Sequence, residues 1–385
     1  MDYIKKNLWI ATLGAFLSGI LLGIFYPALF PHISFLGTWY IKILKWVVYP
    51  LLATEIVIGV FDAARNFARR LGETVLLFIV MFIVCFLITA ALVALLQPGR
   101  GANLFGEAYS GNVASFRAAS LFSGVMLCIL ISLAVGFLCS KLHFDAVIPP
   151  LKAVRRVVNL FLEYFMLATP LAVFALMGNS VAAYGTSLLG LGAKYILTAW
   201  LGCLVITFLV MVLPVWWVCG IRPLDYVRKA SKVWAVSLST CSSAATLPTT
   251  VRICNEEFGV PSEITGIVVP LGCTIHMCGG AVSFCLLALF TAQMSAAPVS
   301  FSMFLAMLFL ATVMNMAAPG IPGGGIVLGA TYLGFLGLSS GFIGLYSGIY
   351  RLLDMTYTTV NVTGDITANI LLHHKYKNQI EKEKD

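Results

Sequence analysis

Leu353-Asp354-Met355-Thr356-Tyr357-Thr358-Thr359-Val360-Asn361-Val362-Thr363-Gly364-Asp365 puts two carboxylates eleven positions apart inside the last apolar span of the chain. At ~100° per residue, Asp354, Thr358, Asn361 and Asp365 fall within roughly 60° of one another on a helix. The chain around them is 60% hydrophobic and 10% charged. A carboxylate at mid-membrane costs at least ~2.5–3.5 kcal/mol on insertion scales, and such groups are kept mainly where they serve an ion or substrate path. This stripe therefore decides how the rest of the sequence is read.

Working outward, the 385 residues carry repeated apolar stretches of about membrane length, with a mean hydropathy of +0.96. That composition predicts an all-α polytopic membrane protein with no room for a separate soluble domain. Apolar spans continue toward the C-terminus, which excludes a secreted soluble protein behind a signal peptide. The formal net charge is +8, but its Lys and Arg residues sit mostly in short loops and the tail, where they set topology. They do not form a nucleic-acid surface. The ten cysteines are dispersed through or beside apolar segments, as small buried residues are, without the paired spacing of a disulfide framework.

Spans are expected near Leu8–Phe25, Leu36–Val60, Leu76–Leu96, Phe116–Leu138, Val157–Met177 and Ala193–Val218. The loops after the second, fourth and sixth are basic: Arg65, Arg69 and Arg70; Lys141, Lys152, Arg155 and Arg156; Arg222, Arg228, Lys229 and Lys232. Residues 178–192 and 293–300 read as nearly uncharged loops. With Lys5 and Lys6 at one end and Lys375, Lys377, Lys382 and Lys384 at the other, both termini are expected in the cytoplasm. Arg100 and Arg117 on an outer loop run against that pattern.

After the sixth span the pattern breaks. Residues 226–257 hold an apolar half, the hydroxyl-rich run Ser239-Thr240-Cys241-Ser242-Ser243-Ala244-Ala245-Thr246-Leu247-Pro248, and a second half ending at Arg252. Two halves too short to span, joined by a polar tip, predict a re-entrant hairpin whose tip lies in protein or faces a water-filled cavity. Residues 301–343 repeat the plan around Pro319-Gly320-Ile321-Pro322-Gly323-Gly324-Gly325. There the glycines bare the backbone and the prolines stop the helix. Between them, Pro261–Ala292 is one span interrupted by Gly272-Cys273-Thr274-Ile275-His276-Met277-Cys278-Gly279-Gly280. Interrupted hydrophobic segments point to a transporter binding site. Residues 226–372 are thus expected to form a transport core, residues 1–225 mainly its frame, and residues 373–385 a solvated cytoplasmic tail.

These residues resemble the dicarboxylate/amino acid:cation symporters, the glutamate-transporter family. Residues 353–365 look like its last-helix motif, Ser242–Pro248 like its first hairpin tip, and Gly320–Gly324 like its second. The run Pro270–Met277 looks like its interrupted seventh helix. Weaker support comes from Thr169-Pro170-Leu171-Ala172-Val173-Phe174 and from Pro50-Leu51. The resemblance implies eight transmembrane helices plus two re-entrant helical hairpins, an elevator-type carrier in a cytoplasmic (inner) membrane, and a homotrimer embedded in lipid. It implies an amino acid or dicarboxylate as substrate, Na⁺ as coupling ion and no other cofactor. It assigns the substrate α-ammonium to Asp354, with Asn361 and Thr358 as polar neighbours. The substrate carboxylate falls to backbone at Cys241, Ser243 and Ile321, with Ser242, Met277 and Tyr357 completing the site. Asp365 with carbonyls of Gly272, His276 and Asn361 would form one cation site. A second would be built around Thr274, Asn315, Met316 and Ala318.

The sequence departs from the family pattern in three places. Acidic-substrate members carry an arginine where this chain has Tyr357, and a tyrosine offers no charge to a side-chain carboxylate. That favours a neutral amino acid, as in serine/threonine-transporting relatives, unless Arg351, one turn earlier, reaches in. The family's Asn-Met-Asp-Gly-Thr reads His276-Met277-Cys278-Gly279-Gly280 here, and Leu76–Leu96 offers only Thr89 as a hydroxyl. A deep sodium site of the family is therefore expected to be absent. An imidazole as a class titrates near neutral pH, so H⁺ is the alternative coupling ion, with His276 as the residue to carry it. Two rivals from other classes are an intramembrane hydrolase using Ser243 and His276, which lacks an oxyanion-hole signature, and a channel lined by the polar stripe.

Overall fold

The structure is a computed structural model that describes residues 2–66, 68–102, 124–185, 187–316, 324–339 and 341–382. Helix α1 (Asp2–Phe25) ends in a short 3₁₀ turn at Pro27–Leu29, and α2 (Phe30–Asn66) follows. The chain bends by 109° between Gly14–Phe25 and Pro27–Tyr40, because Pro27 has no N–H to continue the ladder and forces Tyr26 out of helical geometry. Helices α3 (Ala68–Leu96) and α4 (Gly124–Lys141) come next. The start of the expected fourth span, with Arg117, lies outside the described residues.

The expected fifth span, Val157–Met177, is not one helix. It divides at a 3₁₀ turn, Met166–Ala168, into α5 (Ile148–Phe165) and α6 (Thr169–Tyr184). Pro170 in the first turn of α6 favours a fresh start there. Its continuation to Tyr184, with α7 (Ser187–Ile206) following, replaces most of the loop read at 178–192. Helix α7 passes through a π-helical turn, Thr207–Val212, into α8 (Leu213–Cys219). The Leu213 N–H bonds the Phe208 carbonyl, five residues back, just ahead of Pro214, which has no N–H to give.

The remaining helices pair as half-length elements. Helices α9 (Pro223–Thr240) and α10 (Ser243–Glu256) form a helix–turn–helix whose second arm runs past Arg252. Helices α11 (Ser262–Ile275) and α12 (Cys278–Met294) are the two parts of the interrupted span. Helices α13 (Phe301–Met316) and α14 (Gly324–Phe335) flank the second glycine-rich run, of which 317–323 lie outside the described residues. The last helix, α15 (Ile343–Lys382), carries the carboxylate stripe and packs against α1, α3, α6, α7, α8, α9, α10, α11, α12 and α14. Beside it α12 is buried nearly all round, with Phe284, Leu286, Leu287 and Phe290 in the core. Among the described residues, Gly72–Leu96, Leu189–Cys219 and Ser262–Met294 are long and apolar enough to cross a membrane, besides the bent pair at the start. Among the described residues every regular element is a helix, and the protein is integral to a membrane.

Candidate substrate and ion site

The first tip is shaped by two residues. Cys241 takes the left-handed conformation (φ 50°, ψ 38°) and ends α9. Ser242 is extended, and its hydroxyl accepts the Ala245 N–H at 3.2 Å, capping α10. The interruption between α11 and α12 is made by extended backbone at His276 and Met277. It leaves the first N–H groups of α12 without helical partners. One of them, on Gly279, donates to Asn361 Oδ1 at 2.7 Å. Gly279 is there because α12 and α15 touch: a Cβ at that position would overlap the backbone of Tyr357.

A cavity of about 60 Å³ opens between these elements, lined by Cys241, Ser243, Met277, Gly280, Ser283, Phe284, Asn315, Gly325, Leu328, Tyr350, Asp354, Tyr357, Thr358 and Asn361. Asp354 is the only formally charged residue among them, and it is 8% exposed. The Tyr350 hydroxyl donates to Asp354 Oδ1 at 3.4 Å. Tyr357 is buried, and its hydroxyl approaches that of Tyr195 without completing a hydrogen bond of standard geometry. Arg351 does not line the cavity. Its guanidinium donates to the Ser239 carbonyl at 2.9 Å, two residues before Cys241 of the first tip.

Asp365 lies elsewhere on the stripe and is 1% exposed. Its Oδ1 is 2.9 Å from His276 Nδ1, and His276 Nε2 is 3.1 Å from Cys278 Sγ. With Nδ1–H donated to the carboxylate, Nε2 accepts the thiol proton. The imidazole stacks on Phe78 with ring centres 4.3 Å apart. On this side α3 contributes the apolar Phe78, Met81 and Phe82, while Thr89 spends its hydroxyl on the Cys85 carbonyl. Gly272 packs so closely that a Cβ there would overlap the Asp365 carboxylate. Among the described residues no group of three or more His, Cys, Asp or Glu could hold a metal ion.

The structure thus gathers Cys241, Ser243, Met277, Asp354, Tyr357, Thr358, Asn361 and Asn315 around one cavity. Ser242 stands behind them as a cap. Gly272, His276 and Asp365 form a separate cluster. Met316 lines a smaller void beside Phe78 and Thr312, and the Thr274 hydroxyl is turned to the Leu271 carbonyl. Ile321 and Ala318 fall outside the described residues. Tyr350 was not among the sequence candidates, although it sits four residues before Asp354 and so on the same helical stripe. Gly280 stands in the sequence within the interruption of the span, as the last position of the altered family motif, whereas Ser283 of α12 carries no comparable signal.

A buried carboxylate facing a cavity of mixed polar and apolar lining, enclosed by half-length and interrupted helices in an apolar helical body, is the architecture of a membrane transporter. The chain belongs to the sodium:dicarboxylate symporter family, whose profile matches residues 8–375. It is similar to a C4-dicarboxylate transport protein of Janthinobacterium sp. (27% identical, covering 85% of this chain and 80% of that protein). It is also similar to a proton/sodium-glutamate symport protein of Bacillus caldotenax (25% identical, 98% and 96% covered). The neutral amino acid transporter A of Bos taurus is 28% identical over 64% of this chain and 47% of its own length. The protein is therefore a cation-coupled symporter and not an enzyme, which removes the hydrolase reading of Ser243 and His276.

Proposed function

We propose that this symporter carries a neutral amino acid across a cytoplasmic (inner) membrane, coupled to Na⁺. The observation that carries the substrate choice is the charge of the cavity: its described lining holds one carboxylate, Asp354, and no cationic side chain. A zwitterion places its ammonium at Asp354 and its carboxylate at backbone N–H groups near Cys241, Ser243 and Ile321. Thr358 and Asn361 flank the ammonium, and Ser242, Met277 and Tyr357 shape the remaining walls. A dicarboxylate would meet Asp354 with no positive partner on the described lining, from which Arg351 is absent.

For the coupling ion, Asp365 with carbonyls of Gly272, His276 and Asn361 supplies hard oxygen ligands suited to Na⁺. A second site would use backbone around Thr274, Asn315, Met316 and Ala318. Coupling to H⁺ is the second reading, favoured by the contact of His276 with Asp365. We further propose eight spans with two re-entrant hairpins, a homotrimer in lipid, cytoplasmic termini and an elevator movement. In that movement residues 226–372 would travel against a frame drawn mainly from 1–225, leaving 373–385 as a tail.

Counterflow in proteoliposomes loaded with serine, alanine, aspartate, glutamate or succinate tests this, each with Na⁺, K⁺ or a pH gradient. Sodium-dependent exchange of a neutral amino acid is the expected result. Exchange of aspartate, glutamate or succinate alone would overturn the substrate, and proton-driven exchange without sodium would replace the ion. Conduction without saturation would indicate a channel.

A further inference from the structure

We infer that the side-chain amide of Asn315 reads the substrate's side chain and selects for a polar, uncharged one, a hydroxyl or a carboxamide. This rests on the amino acid reading above and concerns the amide, not the backbone carbonyl assigned to the second cation site. Asn315 lies one residue from the end of α13, is 2% exposed and lines the cavity. Its Oδ1 is buried with no hydrogen-bond partner among the described residues.

Three other polar groups on the wall are already engaged, whereas the Tyr357 hydroxyl, like the Asn315 amide oxygen, has no hydrogen-bond partner among the described residues. Ser283 Oγ is 2.9 Å from the Tyr346 hydroxyl, Asn361 Oδ1 accepts from Gly279, and the Tyr350 hydroxyl is directed at Asp354. The position of the amide is fixed by Gly280, above which Oδ1 sits so closely that a Cβ would overlap it. Only glycine at 280 allows this placement, so the two residues form one unit.

Buried acceptors in folded proteins are nearly always paired. A ligand bearing a donor supplies the missing partner here, whereas an alkyl side chain seals the acceptor away from water unpaired. Sites built to hydrogen-bond a substrate group discriminate strongly against the analogue that lacks it. An amide carries both a donor and an acceptor but no charge, so it suits a hydroxyl or a carboxamide and does nothing to neutralise a carboxylate.

The test compares kcat/KM for labelled serine, asparagine, alanine and succinate in proteoliposomes of wild-type, Asn315→Ala and Asn315→Leu carriers. Leucine keeps roughly the volume of the amide without its polar atoms. The wild type is expected to prefer serine or asparagine to alanine by about tenfold or more. Both variants are expected to bring that ratio to about one, with serine and asparagine falling further than alanine. An unchanged ratio overturns the proposal. So does a parallel loss of all substrates, which marks a structural role. If neither variant accumulates, Asn315→Thr retains an acceptor and is expected to keep the preference; serine and alanine moved alike by it would overturn the inference. A wild type that moves succinate and no neutral amino acid removes the underlying reading before any variant is compared, and the inference falls with it.

Discussion

At the scale of single residues, Asp354 and Gly279 are the positions where one atom decides most. Asp354→Asn keeps the shape of the cavity wall and removes its charge. Neutral amino acid counterflow is expected to fall at least about tenfold, the share of one charge-assisted hydrogen bond, with the thermal midpoint in detergent nearly unchanged. A collapse of the midpoint would instead make Asp354 a structural group. Gly279→Ala should do the opposite. Its methyl runs into the Tyr357 backbone, and overpacking of this kind costs about 1–3 kcal/mol. The thermal midpoint should therefore drop for every ligand condition alike. The stripe of Asp354, Thr358, Asn361 and Asp365 was legible in the sequence because helical periodicity is local. Periodicity could not pair His276 with Asp365, residues 89 apart; the resemblance brings them to one cation site, but through the His276 carbonyl and not its imidazole. Nothing in one helix says which neighbour's ring fills the space beside a carboxylate.

At the scale of elements, a second stripe on α15 holds the first hairpin in place. Thr359, Thr363 and Thr367 recur every four residues. Along α9, Ser237 Oγ meets Thr359 Oγ1 at 2.8 Å, Trp234 Nε1 donates to Thr363 Oγ1 at 2.9 Å, and the Tyr226 hydroxyl lies 2.7 Å from Thr367 Oγ1. Interhelical hydrogen bonds between membrane helices average about 0.6 kcal/mol. Thr363→Val and Trp234→Phe should each destabilise by about that amount, and together by less than the sum, because they remove the same bond. Additive losses in thermal unfolding would show that the bond contributes nothing. The threonine repeat could be read from sequence, but its partner helix could not. The division of the fifth span at Met166–Ala168 was missed for a related reason. Hydropathy rises across residues 157–177 without marking the turn, and Pro170 serves equally well as an interior kink or as a first-turn residue.

At the scale of the whole molecule, composition alone fixed the class, while the convergence of ten described helices on α15 came only from tertiary packing. Near the end of that helix, the Lys375 ammonium donates to Glu73 at 2.9 Å, and the Tyr376 hydroxyl donates to the same carboxylate. This ties the end of α15 to the beginning of α3. The Lys375–Glu73 pair is exposed and worth about 0–1 kcal/mol, whereas Tyr376 is 5% exposed and contributes packing as well. Tyr376→Ala should therefore lower thermal stability more than Lys375→Ala, measured in detergent at equal salt; the reverse order would mean that charge dominates the clamp. The central position of α15 also sets a timetable. At ~5–20 residues per second, its forty residues are the last described helix to leave the ribosome, over ~2–8 s. Until then the Tyr226 hydroxyl, the Trp234 indole N–H and the amide of Gly279 lack the partners that α15 gives them. A message cut short before codon 343 should yield no partly working carrier, only a chain that proteolytic surveillance removes.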